Sequence, residues 1–467
     1  MFDDLKPYPE YMVGTQPNGW HRERLGAVAR LLVSNVDKLK HQGEQPVRLC
    51  NYVDVYKNAV VTADLPFMAA TATPDEVKRF GVRHGDVAIT KDSESPTDIA
   101  VPALIGASAP DLVYGYHLAV LRPAEDRLHG AYMYLALTVP EIARHFHVAA
   151  TGVTRFGLSH GDIKTASIPV PPLDEQRAIA KYLSHAHQRI NKAITAKRRL
   201  IAVLAEMRRH AVEECFEAKT AGAPAVRLKY VATIQTGLTL GKNYGSAELE
   251  AYPYLRVANV QAGALALTKV SEVRVPRAEA ERSTLRPGDL LVTEGGDIDK
   301  LGRGTIWSGE IDCCLHQNHV FAVRSSERLD SRYLEIFLQH SSARRYFHVT
   351  AKKTTNLAST NSTTLGNLRV PLPDRTSQNR IVAEFEAKTD ALQRETDLAR
   401  REIALLEHFR NRLTSDVVNG QIDVRHIAGS LPPIDPAEAF SASSGTVGDA
   451  ADVADEDEPG DAEMEVA

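Results

Sequence analysis

The sequence predicts an α+β protein: two tandem mixed α/β domains and two long helices that pair as an antiparallel coiled coil, in a pseudo-two-fold arrangement. Three observations predict this fold class. An internal repeat recurs at an offset of about 200 residues. Turn-bounded apolar runs precede two long stretches that lack Pro and Gly, and both stretches carry heptad-spaced apolar residues.

Collinear matching segments define the repeat. Residues 168–171 align with 370–373, and residues 82–86 align with 285–289 at nearly the same offset. Because several anchors keep one order and one offset, we interpret the chain as a tandem duplication. The predicted parts are an N-terminal segment at 1–20, a first domain at 21–172, a central long helix at 173–222, a second domain at 223–373, a distal long helix at 374–424 and a disordered acidic tail at 425–467.

Each predicted domain mixes short strands with short helices. Residues 86–90 and 289–293 are apolar runs that follow a Gly-Asp turn signal, which is typical of strands. Residues 130–138 and 331–339 predict short helices. The domains are therefore expected to be mixed α and β.

The two long helices follow the prolines at 172 and 373. A rod of some 42 residues is about 60 Å long, and a domain of about 150 residues cannot cover its apolar stripe alone. We therefore favour pairing of the two helices over packing of each helix on its own domain. The residues predicted to pair the helices or to dock partners are Ile179, Leu183, Ile190, Ile201, Leu204, Phe385, Leu392, Leu406 and Leu413.

The overall charge hides a basic body. The formal net charge is −5, but 11 acidic residues and no Lys or Arg follow His426, so residues 1–425 carry +6. The tail also holds few bulky apolar residues, which predicts disorder. A mildly basic body is compatible with nucleic-acid binding.

Composition also bears on location and cofactors. Four cysteines lack CxxC spacing, which argues against a disulfide framework or a zinc site. The sequence shows no apolar run of about 18 residues and no signal peptide, so we expect a cytoplasmic protein without a metal.

Basic, polar and aromatic residues cluster in predicted loops. Arg and Lys suit guanine edges and phosphates, and Asn suits adenine edges. Any one such residue is more often an ordinary solvated loop residue, so the clusters matter more than their members. The DNA-binding candidates are Asn51, Tyr52, Lys57, Lys91, Arg155, Lys242, Asn243, Tyr244, Lys300, Arg303, Lys352, Lys353, Thr355 and Asn356.

Motifs for catalysis in this chain are weak. Neither Pro-Pro pair sits in the loop that an amino-methyltransferase uses, and residues 237–243 are one residue short of a P-loop. Asp374 with Glu386 and Lys388 matches a metal nuclease on paper, but Glu386 falls in the predicted distal helix. His316 and His319 lack a third ligand at a suggestive spacing.

The junction at residues 168–179, Ile-Pro-Val-Pro-Pro-Leu-Asp-Glu-Gln-Arg-Ala-Ile, resembles the signature of specificity (S) subunits of type I restriction-modification systems. A weaker copy occupies residues 370–381, where Asp-Arg-Thr-Ser-Gln replaces Pro-Leu-Asp-Glu-Gln. Residues 18–25, 115–117 and 154–158 are also similar to that family. The resemblance spans residues 17 to about 424.

The resemblance implies a function. Each globular half would be a target recognition domain that reads one half of a bipartite site on double-stranded DNA. The helices would set the spacing and dock two methyltransferase (M) subunits and restriction (R) subunits. S-adenosylmethionine, ATP and Mg²⁺ would be bound by those partners, which would methylate adenine and cleave DNA, and this chain would bring no catalysis.

Two other interpretations remain open from the sequence. The chain could be a coiled-coil scaffold that joins protein partners through its two heads without binding DNA. It could also hide a nuclease centred on Glu386. Salt-dependent affinity for duplex DNA separates a specificity subunit from a protein scaffold.

Overall fold

The computed structural model describes residues 17–217, 219–261, 263–296, 298, 301–353 and 358–441. The chain divides into two compact units. Unit 1 combines Met1–Lys197 with Arg401–Ala467, and unit 2 is Arg198–Arg400. Each long helix contributes one part of its length to each unit.

Unit 1 carries thirteen strands among its described residues. They are β1 (His21–Arg24), β2 (Ala29–Val33), β3 (Gln45–Cys50), β4 (Val60–Val61), β5 (Met68–Ala72), β6 (Val87–Thr90), β7 (Asp92–Ser93), β8 (Pro102–Ile105), β9 (Leu112–Tyr114), β10 (Leu118–Pro123), β11 (Thr151–Gly152), β12 (Phe156–Gly157) and β13 (Ser167–Val170). Its helices up to the long helix are α1 (Leu25–Val28), α2 (Tyr52–Tyr56), α3 (Pro74–Phe80), α4 (Gly130–Leu137), α5 (Pro140–Ala149), α6 (His160–Thr165) and α7 (Leu173–Glu217).

Unit 2 repeats this series with local differences. Its strands are β14 (Ala225–Arg227), β15 (Ala232–Thr236), β16 (Glu250–Leu255), β17 (Val260–Gln261), β18 (Ala264–Leu265), β19 (Ser271–Val275), β20 (Leu290–Thr293), β21 (Gly295–Gly296), β22 (Gly304–Ile306), β23 (Leu315–His316), β24 (Val320–Ser325), β25 (Lys352–Lys353), β26 (Ala358–Ser359) and β27 (Arg369–Pro371). Its helices are α8 (Arg277–Ser283), α9 (Ser331–Phe337), α10 (Ser341–Thr350), α11 (Ser362–Asn367) and α12 (Arg375–Val418), with 3-10 turns at Leu228–Tyr230 and Val257–Asn259.

The sheets of the two units follow the same plan. In unit 1 the largest sheet has the order β2-β10-β6-β8-β4, and in unit 2 it has the order β15-β24-β20-β22. A second sheet, β5-β3-β9 or β19-β16-β23, contains one parallel pair in each unit. A small third sheet is β11-β12-β7 in unit 1 and β21-β26-β25 in unit 2. The shared topology shows that the duplication found in the sequence is a duplication of fold.

A buried ion pair recurs at the same place in both copies. Arg122 donates from Nε and Nη2 to Asp86 at 2.8 and 2.6 Å, and Arg324 donates to Asp289 at the same two distances. Both carboxylates are almost fully buried. A planar guanidinium matches a carboxylate in this two-bond geometry, so the pair fixes the start of β6 or β20 against β10 or β24.

A buried glutamine recurs at the start of each long helix. In unit 1 the Gln176 side chain donates to Arg127 O and Pro171 O and accepts from His129 N. Gln378 makes the corresponding bonds to residues 328, 373 and 330 in unit 2. Because buried backbone groups require partners, this glutamine ties the helix start to the loop before α4 or α9.

The long helices pair in antiparallel fashion in unit 1. His187 Nε2 lies 2.8 Å from Thr414 Oγ1, Arg410 donates to Asn191 Oδ1 at 2.9 Å, and Lys197 pairs with Glu402. Residue numbers rise along α7 as they fall along α12, which is the antiparallel order.

The pairing recurs in unit 2. There Lys388 lies 2.8 Å from Glu214, Lys219 pairs with Glu384, and the Arg208 guanidinium lies 5.1 Å from the Phe385 ring centroid. The predicted fold class of two mixed α/β domains with two paired long helices is therefore confirmed.

The long helices are shorter than the segments assigned to them. α7 ends at Glu217 and α12 at Val418, where the sequence predicted segments ending at 222 and 424. Trp20, which the sequence assigned to an N-terminal segment outside the first domain, is buried and donates from Nε1 to Glu175 near the start of α7 at 3.0 Å.

The prediction of a disordered tail over residues 425–467 is wrong for its first part. Residues in that range form α13 (Arg425–Ser430) and α14 (Pro436–Ser441), which belong to unit 1. Phe440 is buried with its ring 5.3 Å from that of Tyr134 and 5.4 Å from that of His187. A few well-placed apolar residues are enough to fix a short helix on an existing core, which average composition hides. Residues 442–467 lie outside the described residues.

Candidate nucleic-acid interface

Four candidate residues of unit 1 belong to adjoining parts of one polar edge. Asn51 is the N-cap residue of α2, and its backbone N–H donates to the Asp54 side chain at 2.7 Å. Tyr52 is the first residue of the helix. Lys91 lies between β6 and β7, and Arg155 immediately precedes β12, which pairs with β7. We call this region the unit 1 edge: α2, β7, the turn before β10, and the β11-β12 hairpin.

The centre of the unit 1 edge is a carboxylate that contacts an arginine and a histidine. Asp92 accepts a hydrogen bond from Arg155 Nη2 and lies 3.0 Å from His117 Nδ1. Burial opposes ionisation of Asp92, but the hydrogen bonds from Arg155 and His117 outweigh it and lower the pKa of the carboxyl. The Arg155–Asp92 ion pair joins the β11-β12 hairpin to β7, and the Arg155 side chain is still 58% exposed.

Aromatic side chains line the same edge. The rings of Tyr52 and Tyr56 stack with centroids 5.4 Å apart, and Tyr56 donates from its hydroxyl to Asp98 at 2.7 Å. Burial and the hydrogen bond to Asp98 raise the pKa of Tyr56 to about 12, so this hydroxyl stays protonated at neutral pH. Stacked phenols, an amide and a guanidinium together can stack on bases and donate hydrogen bonds to base edges or phosphates.

Tyr56, Asp92, Asp98 and His117 were not among the candidates predicted from the sequence. Only His117 had a sequence feature that could have identified it, since it belongs to the 115–117 segment that resembles the specificity family. The carboxylates carried no signal, because isolated Asp residues in loops are common and only the fold brings them to Tyr56 and Arg155.

Unit 2 has an analogous edge with different residues. His319 Nδ1 lies 2.6 Å from Glu294 Oε2, next to the β21-β26-β25 sheet that carries exposed Lys352. The Arg303 carbonyl accepts from Thr293 N at 3.2 Å, which places this candidate beside the end of β20. The structure therefore brings Arg303 and Lys352 to neighbouring parts of the same edge.

Arg256 of unit 2 takes the place that Asn51 has in unit 1. Each follows the edge-forming strand, β3 or β16, and each donates its backbone N–H to the third residue of the following turn: Asn51 to Asp54, and Arg256 to Asn259 at 2.8 Å. Arg256 was not among the candidates, and only the matching strand register and turn hydrogen bonds reveal its equivalence to Asn51.

The other candidates are placed as follows. Lys57 is exposed at the end of α2. Lys242 is held by Glu279 of α8 at 2.7 Å, Asn243 accepts from Gly245 N, and Tyr244 packs against the cluster of Leu238 and Val275. Lys353 lies in β25, while Lys300, Thr355 and Asn356 lie outside the described residues. The role of each candidate in binding DNA stays a prediction.

The predicted helix-pairing residues divide by their surroundings. Ile179, Leu183 and Leu413 lie in the main core of unit 1, and Phe385 lies in that of unit 2, so these positions join the helices to the globular parts. Ile190 and Leu204 are buried, and Ile201, Leu392 and Leu406 are half-buried. Their role in docking partners stays a prediction.

The residues weighed for metal or nuclease chemistry have other contacts. Glu386 accepts from Arg332 Nε at 3.1 Å, and Lys388 pairs with Glu214. His316 is buried with Nδ1 2.7 Å from Val320 O. Within the described ranges, no group of three or more His, Cys, Asp or Glu side chains is arranged to hold a metal ion. No helix in the same ranges is long and apolar enough to cross a membrane.

Residues 75–198 match the family model described as type I restriction modification DNA specificity domain. These residues are therefore similar to a type I specificity domain. They include all of α3 but its first residue, most of the unit 1 edge and the first half of α7. The resemblance found in the sequence is thereby confirmed.

Two curated relatives are named as specificity subunits of type I restriction enzymes. The putative type I restriction enzyme MjaX specificity subunit of Methanocaldococcus jannaschii is 26% identical over 150 residues, covering 32% of this chain and 35% of that protein. The type I restriction enzyme EcoKI specificity subunit of Escherichia coli K12 is 23% identical over 300 residues, covering 57% of this chain and 64% of that protein. The matched regions span less than two thirds of either relative.

A solved structure has the same fold along most of the chain. It comes from work on complex assembly and conformational transition of the type I restriction-modification system. The likeness has a TM-score of 0.59 at 18% identity and covers 87% of this chain and 99% of that chain. At this identity the likeness bears on the fold alone.

Proposed function

We propose that this chain is the specificity subunit of a type I restriction-modification complex and reads a bipartite sequence on double-stranded DNA. Unit 1 would read one half of the site through the unit 1 edge, and unit 2 would read the other half through its analogous edge. The observation that carries the proposal is that two copies of one frame, one of them similar to a type I specificity domain, present different side chains at equivalent edge positions.

The difference at the edges has a chemical meaning. Asn51 in unit 1 suits the N6 and N7 atoms of adenine, whereas Arg256 in unit 2 suits the O6 and N7 atoms of guanine. Tyr52 follows Asn51, and Val257 follows Arg256, so the side chain next to the proposed base-reading residue also differs between the units. Two edges with different donors read different sequences, which is what an asymmetric bipartite site requires.

Basic side chains at the same edges supply affinity. Arg155 in unit 1 and Lys352 in unit 2 are exposed; Arg155 immediately precedes β12, and Lys352 lies in β25, of the small third sheets. Cations of this kind bind phosphates without regard to sequence and displace condensed counterions. The proposed binding should therefore weaken steeply as salt rises.

The long helices also expose apolar side chains. On the unit 2 part of α7, Val203 and Met207 lie one turn apart and are more than half exposed, and on the unit 1 part of α12 Leu405 is exposed. Exposed apolar stripes on a helix mark protein contacts. We propose that they dock methyltransferase subunits, and that restriction subunits join the same complex.

The chemistry of the complex then belongs to the partners. S-adenosylmethionine would serve an adenine-N6 methyltransferase, and ATP with Mg²⁺ would serve an endonuclease, all bound outside this chain. This chain would choose the site and act in the cytoplasm. The family that residues 75–198 match is one of specificity domains, which supports a non-catalytic role.

Methylome sequencing of the source cell tests the proposal. The expected result is a two-part methyladenine motif with a fixed gap that disappears when the gene for this chain is deleted. A methylome unchanged by the deletion, together with no duplex affinity for the purified chain at low salt, contradicts the proposal. That pair of results would favour a scaffold that joins protein partners without DNA.

A further inference from the structure

Helices α5 and α10 occupy the same place in the two units and expose the same residues. Aligned position by position, both helices carry Arg, Phe, His and Val in the same spacing. The pairs that are exposed in both units are Arg144 with Arg345 and Val148 with Val349, and between them lie His147, which is half-buried, and His348, which is exposed. We call the exposed arginine and valine of each helix the repeated patch.

Packing in the core explains why both helices keep the phenylalanine, but it does not explain why they keep the residues of the repeated patch. Phe146 and Phe347 are buried in the cores of their units. Val148 is 81% exposed and Val349 is 75% exposed, so neither stabilises its core appreciably. Substitutions at such surface positions change stability little, and folding alone gives no reason for two diverged copies to keep the same residues there.

Each patch borders a shallow cavity beside a long helix. The cavity in unit 1 has a volume of about 400 Å³ and is lined by Glu141, Arg144, His145, Val148 and Ala149. The cavity in unit 2 has a volume of about 470 Å³ and is lined by Ser341, Ser342, Arg345, Tyr346, Val349 and Thr350. The first turn of α5 contacts α12 through Glu141 and Ser415 at 3.2 Å, and that of α10 contacts α7 through Ser341 and Glu213 at 2.7 Å.

We propose that the repeated patches dock two identical copies of one protein partner, one copy on each unit. Each copy would place an apolar side chain beside the exposed valine and a carboxylate beside the exposed arginine. The inference rests on the proposed function, which supplies a partner in two copies.

The contrast with the DNA-reading edges supports an identical partner. Equivalent positions at the edges differ, as Asn51 and Arg256 do, because two half-sites differ. The repeated patch is the same in both units, which is expected where both units meet the same surface. Exposed valines also favour an apolar protein surface over a phosphate backbone, because phosphates are bound by polar and cationic groups.

The test counts partner copies on the full chain. The tagged chain is purified from its source cell with its bound proteins, the partner is identified by peptide sequence, and native mass spectrometry gives the number of copies. We expect two copies on the wild-type chain, one on Val148→Asp, one on Val349→Asp, and none on the double variant at nanomolar concentration. A charged residue in the contact should weaken each copy on the order of tenfold or more.

Matched controls place the same charge outside the patches. Leu39→Asp in unit 1 and Leu240→Asp in unit 2 change exposed leucines and should retain two copies. Thermal unfolding of all variants checks that they fold. Arg144→Glu and Arg345→Glu should act as the valine variants do if the partner presents carboxylates.

Other outcomes overturn the inference. Two copies retained on both valine variants would exclude the patches as docking sites. Two copies retained with a loss of duplex affinity would assign the patches to DNA. The wild-type chain could also bind no partner in two copies and still select a two-part DNA sequence. That result would contradict this inference and support the proposed reading of DNA.

Discussion

The two units share a frame but fill it with different side chains. Tyr114 of unit 1 donates from its buried hydroxyl to Asp86 at 2.9 Å. At the equivalent strand position of unit 2 stands His316, whose Nδ1 bonds to Val320 O instead. Burial lowers the pKa of His316 and keeps it neutral near pH 7, since the hydrogen bond to Val320 and the charge of Asp289 only partly offset it.

The paired helices show the same contrast. In unit 1 a polar layer joins them: His187 bonds to Thr414 and Asn191 to Arg410. In unit 2 the position equivalent to His187 is Thr389, whose hydroxyl donates to its own helix at Phe385 O. The position equivalent to Arg410 is Arg208, which lies over an aromatic ring. The arginine–aspartate pair and the buried glutamine are therefore retained in both units, whereas other polar contacts around them and between the helices differ.

The largest expected effect comes from breaking the shared ion pair. Asp86→Ala should leave Arg122 without its carboxylate in unit 1, and Asp289→Ala should do the same to Arg324 in unit 2. Removing one partner of a buried pair costs about 3–5 kcal/mol. Hydrogen exchange measured by mass spectrometry should show lost protection in β6 for the first variant and in β20 for the second.

A matched variant controls for the change of side-chain size. Asp37→Ala alters an exposed carboxylate whose side chain is 45% accessible, and it should leave β6 protected. Equal protection of β6 in Asp86→Ala and the wild type would show that the shared pair does not hold the frame.

A smaller effect is expected at the shared glutamines. Gln176→Ala and Gln378→Ala each remove three hydrogen bonds to buried backbone groups. Leaving such groups unsatisfied costs about 1–3 kcal/mol. The two variants should lose similar amounts of hydrogen-exchange protection at the start of α7 and α12. A large loss in one unit with none in the other would break the equivalence of the two copies.

The pH dependence should distinguish the two helix pairs. Burial lowers the pKa of His187 to about 3, so it is neutral when folded, whereas an unfolded histidine titrates near 6.5. The unfolded state therefore binds more protons between those values, and stability is lost as the pH falls below 6.5. For one such histidine the loss at pH 5.5 is about 1.4 kcal/mol.

Hydrogen exchange at pH 7.5 and 5.5, corrected for intrinsic rates, measures this effect. Residues 183–191 of α7 should lose protection on acidification, and the loss should shrink in His187→Gln. Residues 385–393 of α12, which contain Thr389 in its place, provide the internal control. The same acid sensitivity in His187→Gln would contradict the assignment to this residue.

The sequence predicted those parts of the fold that produce a periodic or repeated pattern of residues. The heptad residues and the Pro-Pro junction predicted the paired helices, and the 168–171 and 370–373 match predicted two copies. The buried helix α14 escaped prediction because Phe440 is a single aromatic in an acidic, small-residue stretch. The Asp92–Arg155 contact escaped as well, since it joins residues 63 apart that no local pattern links.

The candidate edge was predicted only in part. Asn51, Tyr52 and Arg155 were found because polar and aromatic residues cluster locally. Arg256 was missed because it lies in a run of ordinary strand and turn residues. Its significance depends on the turn geometry that it shares with Asn51, which only the folded backbone defines.

The most direct test of the central claim is duplex selection from a random library, with the full chain in its native complex. Wild type, Asn51→Ala and Arg256→Ala would be compared by sequencing the bound DNA. We expect a two-part motif in which Asn51→Ala relaxes one base in one half and Arg256→Ala relaxes one base in the other. Each lost base contact corresponds to about 1–3 kcal/mol of discrimination. A single contiguous motif, or one substitution that alters both halves, would contradict separate reading by the two units.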